Sequence, residues 1–176
     1  MTIFSLVVSQ TSASTASQPG ADPSASTSSE MLTEPVQLTL SNRFIKAGEA
    51  YFSPHNNEII FQAIEHPEED QAPNAHYAMF IGTLAQNEAG KYTGLKDIRE
   101  ISAPGSASTC GWFDPNDSKR IYFATTTVAP SAPDSPGYQR DRGRYRWQFP
   151  VEMNIVRCDF TPEGSAIGKP EVVVEN

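Results

Sequence analysis

The chain contains one pattern twice. Gly48-Glu-Ala-Tyr-Phe-Ser-Pro-His-Asn-Asn-Glu-Ile-Ile-Phe-Gln-Ala63 reads like Cys110-Gly-Trp-Phe-Asp-Pro-Asn-Asp-Ser-Lys-Arg-Ile-Tyr-Phe-Ala-Thr125. Phe52 and Pro54 precede Phe113 and Pro115 by 61 positions, and Phe61 precedes Phe123 by 62, so the second turn holds one extra residue. An internal repeat restricts the fold to architectures in which one supersecondary unit stacks on a copy of itself. Further matches extend each copy. Met79 in Tyr77–Ile81 aligns with Met153 in Val151–Ile155, and Ile98–Ile101 aligns with Glu171–Val174. The spacing grows to 74 at the methionines, which places an insertion between the second and third strands of the second copy.

Each copy reads as a four-stranded antiparallel unit. Pro54 and Pro115 preset φ at an early turn position, and Asn56, Asn57 and Asp117 accept the tight or left-handed positions that follow. The next strand bears consecutive apolar residues, Ile59-Ile60-Phe61 and Ile121-Tyr122-Phe123. Neighbouring residues on a strand point to opposite faces, so both faces of each sheet are apolar and need cover. Blades stacked radially in a β-propeller supply that cover. The composition agrees with an all-β chain. Of 176 residues, 14 are Pro and 11 Gly, and the apolar runs between them are too short to span a membrane as a helix.

The Phe-Ser-Pro-His-Asn-Asn-Glu-Ile-Ile-Phe run, followed by the Tyr-x-Met-x-Ile strand, resembles the WD40-like PD40 repeat of TolB-type β-propellers. The resemblance covers about residues 36–176. His55-Asn56 and Asn116-Asp117 stand where that repeat usually has Asp-Gly. It implies two four-stranded blades of an incomplete, roughly six-bladed propeller, 44–102 and 108–176, led by a strand at 36–40 that completes a missing last blade. It also implies a non-enzymatic scaffold that docks a protein or peptide on its loop-rich face. The same propeller type precedes the catalytic domain of prolyl-oligopeptidase-type peptidases, the alternative context. With two blades in place of a ring, the far faces holding members of Ile59–Phe61 and Ile121–Phe123 are expected to stay wet. The isolated chain is then a truncated or partial copy prone to self-association.

Residues 1–33 are expected to be a disordered tail. Ser9–Glu30 contains eight Ser, three Thr and four Ala and no aromatic residue, too little apolar surface to offset ordering. The apolar Met1–Val8 ahead of it lacks a positive flank, as no Lys or Arg occurs before Arg43. It reads as the remnant of a signal segment and points to a periplasmic or otherwise exported protein.

Net charge is −8, which argues against nucleic acid as the main partner. One segment opposes that balance. Between Gly137 and Phe149, Arg140, Arg142, Arg144 and Arg146 alternate with Tyr145 and Trp147. In one extended strand the four arginines share a face and the rings take the other. Arginine forks and aromatic rings suit acidic sugars, so a glycan-binding propeller is the second functional reading. The opposing structural reading is neutralisation by the acidic 65–70 connection of the first copy.

His55, His66 and His76 match no metal-ligand spacing, and no metal or cofactor is expected. Cys110 and Cys158 are expected to be free, packed thiols. Asn116-Asp117-Ser118 fits a glycosylation sequon but is also a turn tip. There is no Gly-x-Ser-x-Gly elbow, phosphate-cradling glycine loop or His-Glu-x-x-His motif, so no enzyme activity is expected.

Overall fold

The computed structural model describes residues 7–10, 33–131, 138–141, 144–147, 149–159 and 168–175. Twelve strands and no helix occur among them: β1 (Val7–Gln10), β2 (Thr33–Gln37), β3 (Phe44–Phe52), β4 (Glu58–Glu65), β5 (Ala78–Gln86), β6 (Tyr92–Glu100), β7 (Ser108–Phe113), β8 (Arg120–Thr125), β9 (Tyr138–Asp141), β10 (Arg144–Trp147), β11 (Asn154–Asp159) and β12 (Glu171–Val174). They form two four-stranded antiparallel sheets, β3-β4-β5-β6 and β7-β8-β11-β12, and two separate two-stranded ribbons, β1-β2 and β9-β10. No helix is long and apolar enough to cross a membrane.

The two sheets are successive meanders with the same strand order, as the repeat requires. The turn chemistry acts as expected at Asn56, which takes φ 54 while its N–H donates to the Ser53 carbonyl at 2.9 Å. In the second copy, Asp114 N–H and the Arg120 carbonyl close the corresponding turn at 2.9 Å. Both first strands also bulge at one repeat position. Glu49 and Cys110, 61 apart, have φ 40 and 52, and each lies at a register shift against the following strand. A bulge twists its strand locally, so two matched bulges give the sheets matching curvature.

The sheets pack face to face. Ile60, Met79 and Ile81 of the first meet Phe113, Ile121, Phe123, Val156 and Cys158 of the second, with Ile101 from the linking chain. Gly111 marks the closest approach. A Cβ there would lie 2.7 Å from Ile60 Cγ1 and Cδ1 and from Met79 Sδ. The opposite face of the first sheet is also closed. Ile59, Phe61, Phe80 and Phe44 cluster with Leu38. The Phe44 ring meets Phe61 and Phe80 edge-on at 5.6 and 5.3 Å, a favoured aromatic geometry.

Four expectations are corrected. The leading strand is Thr33–Gln37 rather than 36–40; it pairs with β1, and Leu38 leaves the ribbon to enter the core. That pairing places Val7–Gln10 in a strand, where a disordered tail was expected, because apolar Val7 and Val8 find a partner strand; the stretch 11–32 lies outside the described residues. Met153 precedes β11 and does not match Met79. Register sets Phe80 opposite Phe61 and Val156 opposite Phe123, a spacing of 76. Finally, the far face of the first sheet is not wet, since Ile59 and Phe61 are buried, whereas the far face of the second sheet keeps Trp112 and Ile155 half exposed beside Tyr122. The outer face of the second sheet is laced by Arg120–Asp159 at 3.7 Å and Arg157–Glu171 at 2.5 Å, and Tyr122 donates to Asp114 at 3.3 Å. Exposed pairs of this kind add little stability but supply a polar surface.

Candidate binding surface

The ends of β3 and β7 bring three large aromatic side chains to the surface. Tyr51, Phe52 and Trp112 are 39%, 41% and 50% exposed, and the Tyr51 and Trp112 rings lie 4.8 Å apart at 55°. Strand pairing sets them there. Tyr51 stands opposite Ile60, Phe52 opposite Ile59, and Trp112 opposite Tyr122. The next residue in the second copy, Phe113, is only 3% exposed because the first sheet covers it. Phe52 holds the same repeat position without a sheet in front of it. Sequence reasoning assigned Phe52 a purely structural role and passed over Tyr51 and Trp112. The available signal was that the two are aromatic at one repeat position, 61 apart.

Beside the rings, a polar seam joins the two bulges. The Thr109 hydroxyl donates to Gln62 Oε1 at 2.6 Å and also approaches Glu49 Oε2 at 3.3 Å. The Cys110 thiol points to the same Glu49 oxygen at 3.4 Å. Burial, and then the Glu49 charge, raises the Cys110 thiol above its ordinary value. That is the opposite of what a nucleophilic thiolate needs. Burial pushes Cys158 up to about 11. Both cysteines are free, but Cys110 is exposed, not packed as expected, because the bulge turns it outward at the strand edge. Native Ellman titration should therefore count one thiol quickly, and titration after unfolding should count two. Two fast thiols in the native protein would contradict the burial of Cys158.

The remaining expected positions are dispersed. His55 sits in the β3-β4 turn, His66 Nε2 contacts the Ser41 carbonyl at 2.9 Å, and His76 is buried. No group of three or more His, Cys, Asp or Glu among the described residues could hold a metal. Asn116 is exposed at the β7-β8 turn, where its backbone N–H donates to Asp114 Oδ1 at 2.9 Å. Pro54 and Pro115 lie in the two equivalent turns. Two open clefts of about 340 and 410 Å³ are lined mainly by aliphatic and aromatic residues, the first by Leu38, Leu40, Phe44 and Leu95, the second by Phe149, Met153, Ile155 and Val174.

The arginine-rich segment does not run as one strand. It reverses between Asp141 and Arg144, and β9 pairs β10 with Arg144 opposite Asp141, Tyr145 opposite Arg140, Arg146 opposite Gln139 and Trp147 opposite Tyr138. Arg140 therefore lies on β9 and Arg144 and Arg146 on β10, rather than all on one extended strand. Arg142 lies outside the described residues. Of the four acids in the 65–70 connection expected to neutralise this segment, Glu65 pairs with Arg43 at 2.7 Å.

No family model matches the chain, and neither does any curated protein or solved structure.

Proposed function

We propose that this chain is a non-enzymatic interaction module, a two-blade portion of a TolB-like propeller, that docks a protein or peptide on Tyr51 and Trp112. The carrying observation is the exposed pair of rings, Tyr51 and Trp112, in contact at the ends of the two first strands. Trp and Tyr are the side chains most often found at binding hot spots, since they offer large area for few rotatable bonds. The propeller reading is supported by two like-ordered meanders with bulges at one repeat position. It is supported further by the way corresponding faces turn. Phe61 and Phe123 each point toward the element that precedes their sheet. A periplasmic or otherwise exported site of action belongs to the same proposal and rests on apolar Met1–Val8 and its Ser/Thr/Ala-rich sequel.

The test is a random-peptide display library panned on the immobilised chain. Selected peptides should bind the parent and lose about tenfold or more in affinity to Tyr51→Ala and Trp112→Ala, the loss of one hot-spot ring. Failure to enrich any peptide, or enriched peptides indifferent to both substitutions, would overturn the assignment.

A further inference from the structure

The junction of β3 and β7 holds a carboxylate that no cation among the described residues neutralises. Glu49 occupies the bulge of β3, and its side chain crosses to β7. There Oε2 receives the Cys110 thiol at 3.4 Å and the Thr109 hydroxyl at 3.3 Å. Both are poor compensation. Thr109 has one proton, and Gln62 Oε1 takes it at 2.6 Å; a thiol is a weak donor. Among the described residues Glu49 makes no ion pair, and its Oε1 accepts no hydrogen bond. The residue is only partly exposed, so water reaches part of the charge. Its field is felt nearby. After burial, the Glu49 charge is what raises both the Cys110 thiol and the Tyr77 hydroxyl.

The bulge itself does not call for an acid. The second copy builds the same bulge with Cys110. What distinguishes the first position is its neighbourhood. Tyr51 and Trp112 meet two residues further along the same two strands. At about 3.3 Å per residue, the rings stand about 7 Å along the strands from the carboxylate. They are tilted at 55° rather than stacked, and Trp112 is half in water, so ring face remains for a third group. An aromatic face attracts a cation, and a partly buried carboxylate is stabilised by one.

We propose that the segment docked on Tyr51 and Trp112 presents an arginine there, with its guanidinium against the rings and its fork closed on the Glu49 carboxylate. This rests on the peptide-docking reading and names the chemistry of the partner. A guanidinium acts on a ring centroid within about 6 Å and on a carboxylate oxygen at about 2.8 Å. Together those reaches bridge the gap. A planar fork can use both Glu49 oxygens while stacking on a ring; a lysine ammonium is a point charge and cannot do both. The net charge of −8 draws such a basic segment in from a distance.

The experiment pans one phage-displayed library of random nonapeptides on the full parent chain and on Glu49→Gln. Peptides selected on the parent should carry arginine about threefold above the unselected library; those selected on Glu49→Gln should not. The most enriched peptide is then synthesised with its arginine kept, or replaced by lysine or by citrulline, the uncharged isostere. Citrulline should weaken binding to the parent about tenfold and lysine about threefold. Rising salt should narrow the gap between arginine and citrulline. On Glu49→Gln the arginine and citrulline peptides should bind alike. If Glu49→Gln melts early, the arginine and citrulline peptides compared on the parent decide alone. No enrichment of any peptide would remove the docking reading and this inference with it. Peptides that depend on Tyr51 and Trp112 but show no arginine enrichment, or bind equally well with citrulline, would overturn the arginine assignment and leave the docking reading standing.

Discussion

Phe113→Ala should destabilise the protein by about 3–5 kcal/mol, the usual cost of truncating a fully buried phenylalanine, while Phe52→Ala should cost about 1 kcal/mol. The two residues hold one repeat position and pair with equivalent isoleucines, Ile59 and Ile121. They differ in what stands in front of them. Phe113 is 3% exposed beneath Ile60, Met79 and Ile81, and Phe52 is 41% exposed. Truncating Phe113 leaves a cavity between the sheets; truncating Phe52 removes a ring already half in water. The measurement is urea unfolding followed by circular dichroism, with midpoints compared at a common slope. It should be run at two protein concentrations a hundredfold apart. Comparable costs for both residues would mean that Phe52 is covered in solution. If so, a concentration-dependent midpoint would identify a second molecule as the cover.

The contrast shows which part of the architecture was legible in the residues. The Phe-x-Pro spacing and the Ile-Ile-Phe and Ile-Tyr-Phe runs identified two equivalent meanders, because turn chemistry and period-2 patterning act locally. What covers each sheet was not legible. Leu38 enters the core from just beyond β2, and nothing in Val36–Leu40 distinguishes a residue that alternates on a strand from one that leaves it. Nor did the apolar pattern reveal that Arg120 and Arg157 would find Asp159 and Glu171 across the outer face of the second sheet. Those pairs depend on strand register, which the insertion between β8 and β11 obscured.

The binding surface was harder to read for a related reason. Aromatic residues at strand ends look alike in sequence whether they are core or surface. Trp112 and Phe113 are adjacent, yet one is half in water and the other is sealed. Alternation predicts that they face opposite ways, but not which way has a neighbour. In the ribbon, the alternating arginines suggested one strand. Instead β9 and β10 pair antiparallel, with Tyr145 opposite Arg140. A single glycine in a basic run is too weak a signal to choose between a strand and a hairpin.

The close approach of the sheets provides the second large effect. Gly111→Ala should cost about 2–3 kcal/mol, as overpacking in a filled core does. The added Cβ would lie 2.7 Å from Ile60 Cγ1 and Cδ1 and from Met79 Sδ. Ile60 and Met79 are themselves fully buried, so neither side chain can swing into solvent to make room. The equivalent position in the first copy, 61 residues earlier, is Ala50, which is only partly buried and accommodates its Cβ. The glycine is thus needed where one sheet lies on the other, not by the repeat itself. Gly48→Ala is the matching control: its Cβ would meet nothing within 4 Å, and it should be neutral or stabilising by about 0.4–1 kcal/mol through the unfolded chain. Ile60→Val in the Gly111→Ala background should recover part of the loss, although alone it costs about 0.5–1.5 kcal/mol. A double-mutant cycle reads that coupling directly. If Gly111→Ala were as mild as Gly48→Ala, or if the two substitutions at 60 and 111 simply added, the sheets would not meet at this glycine.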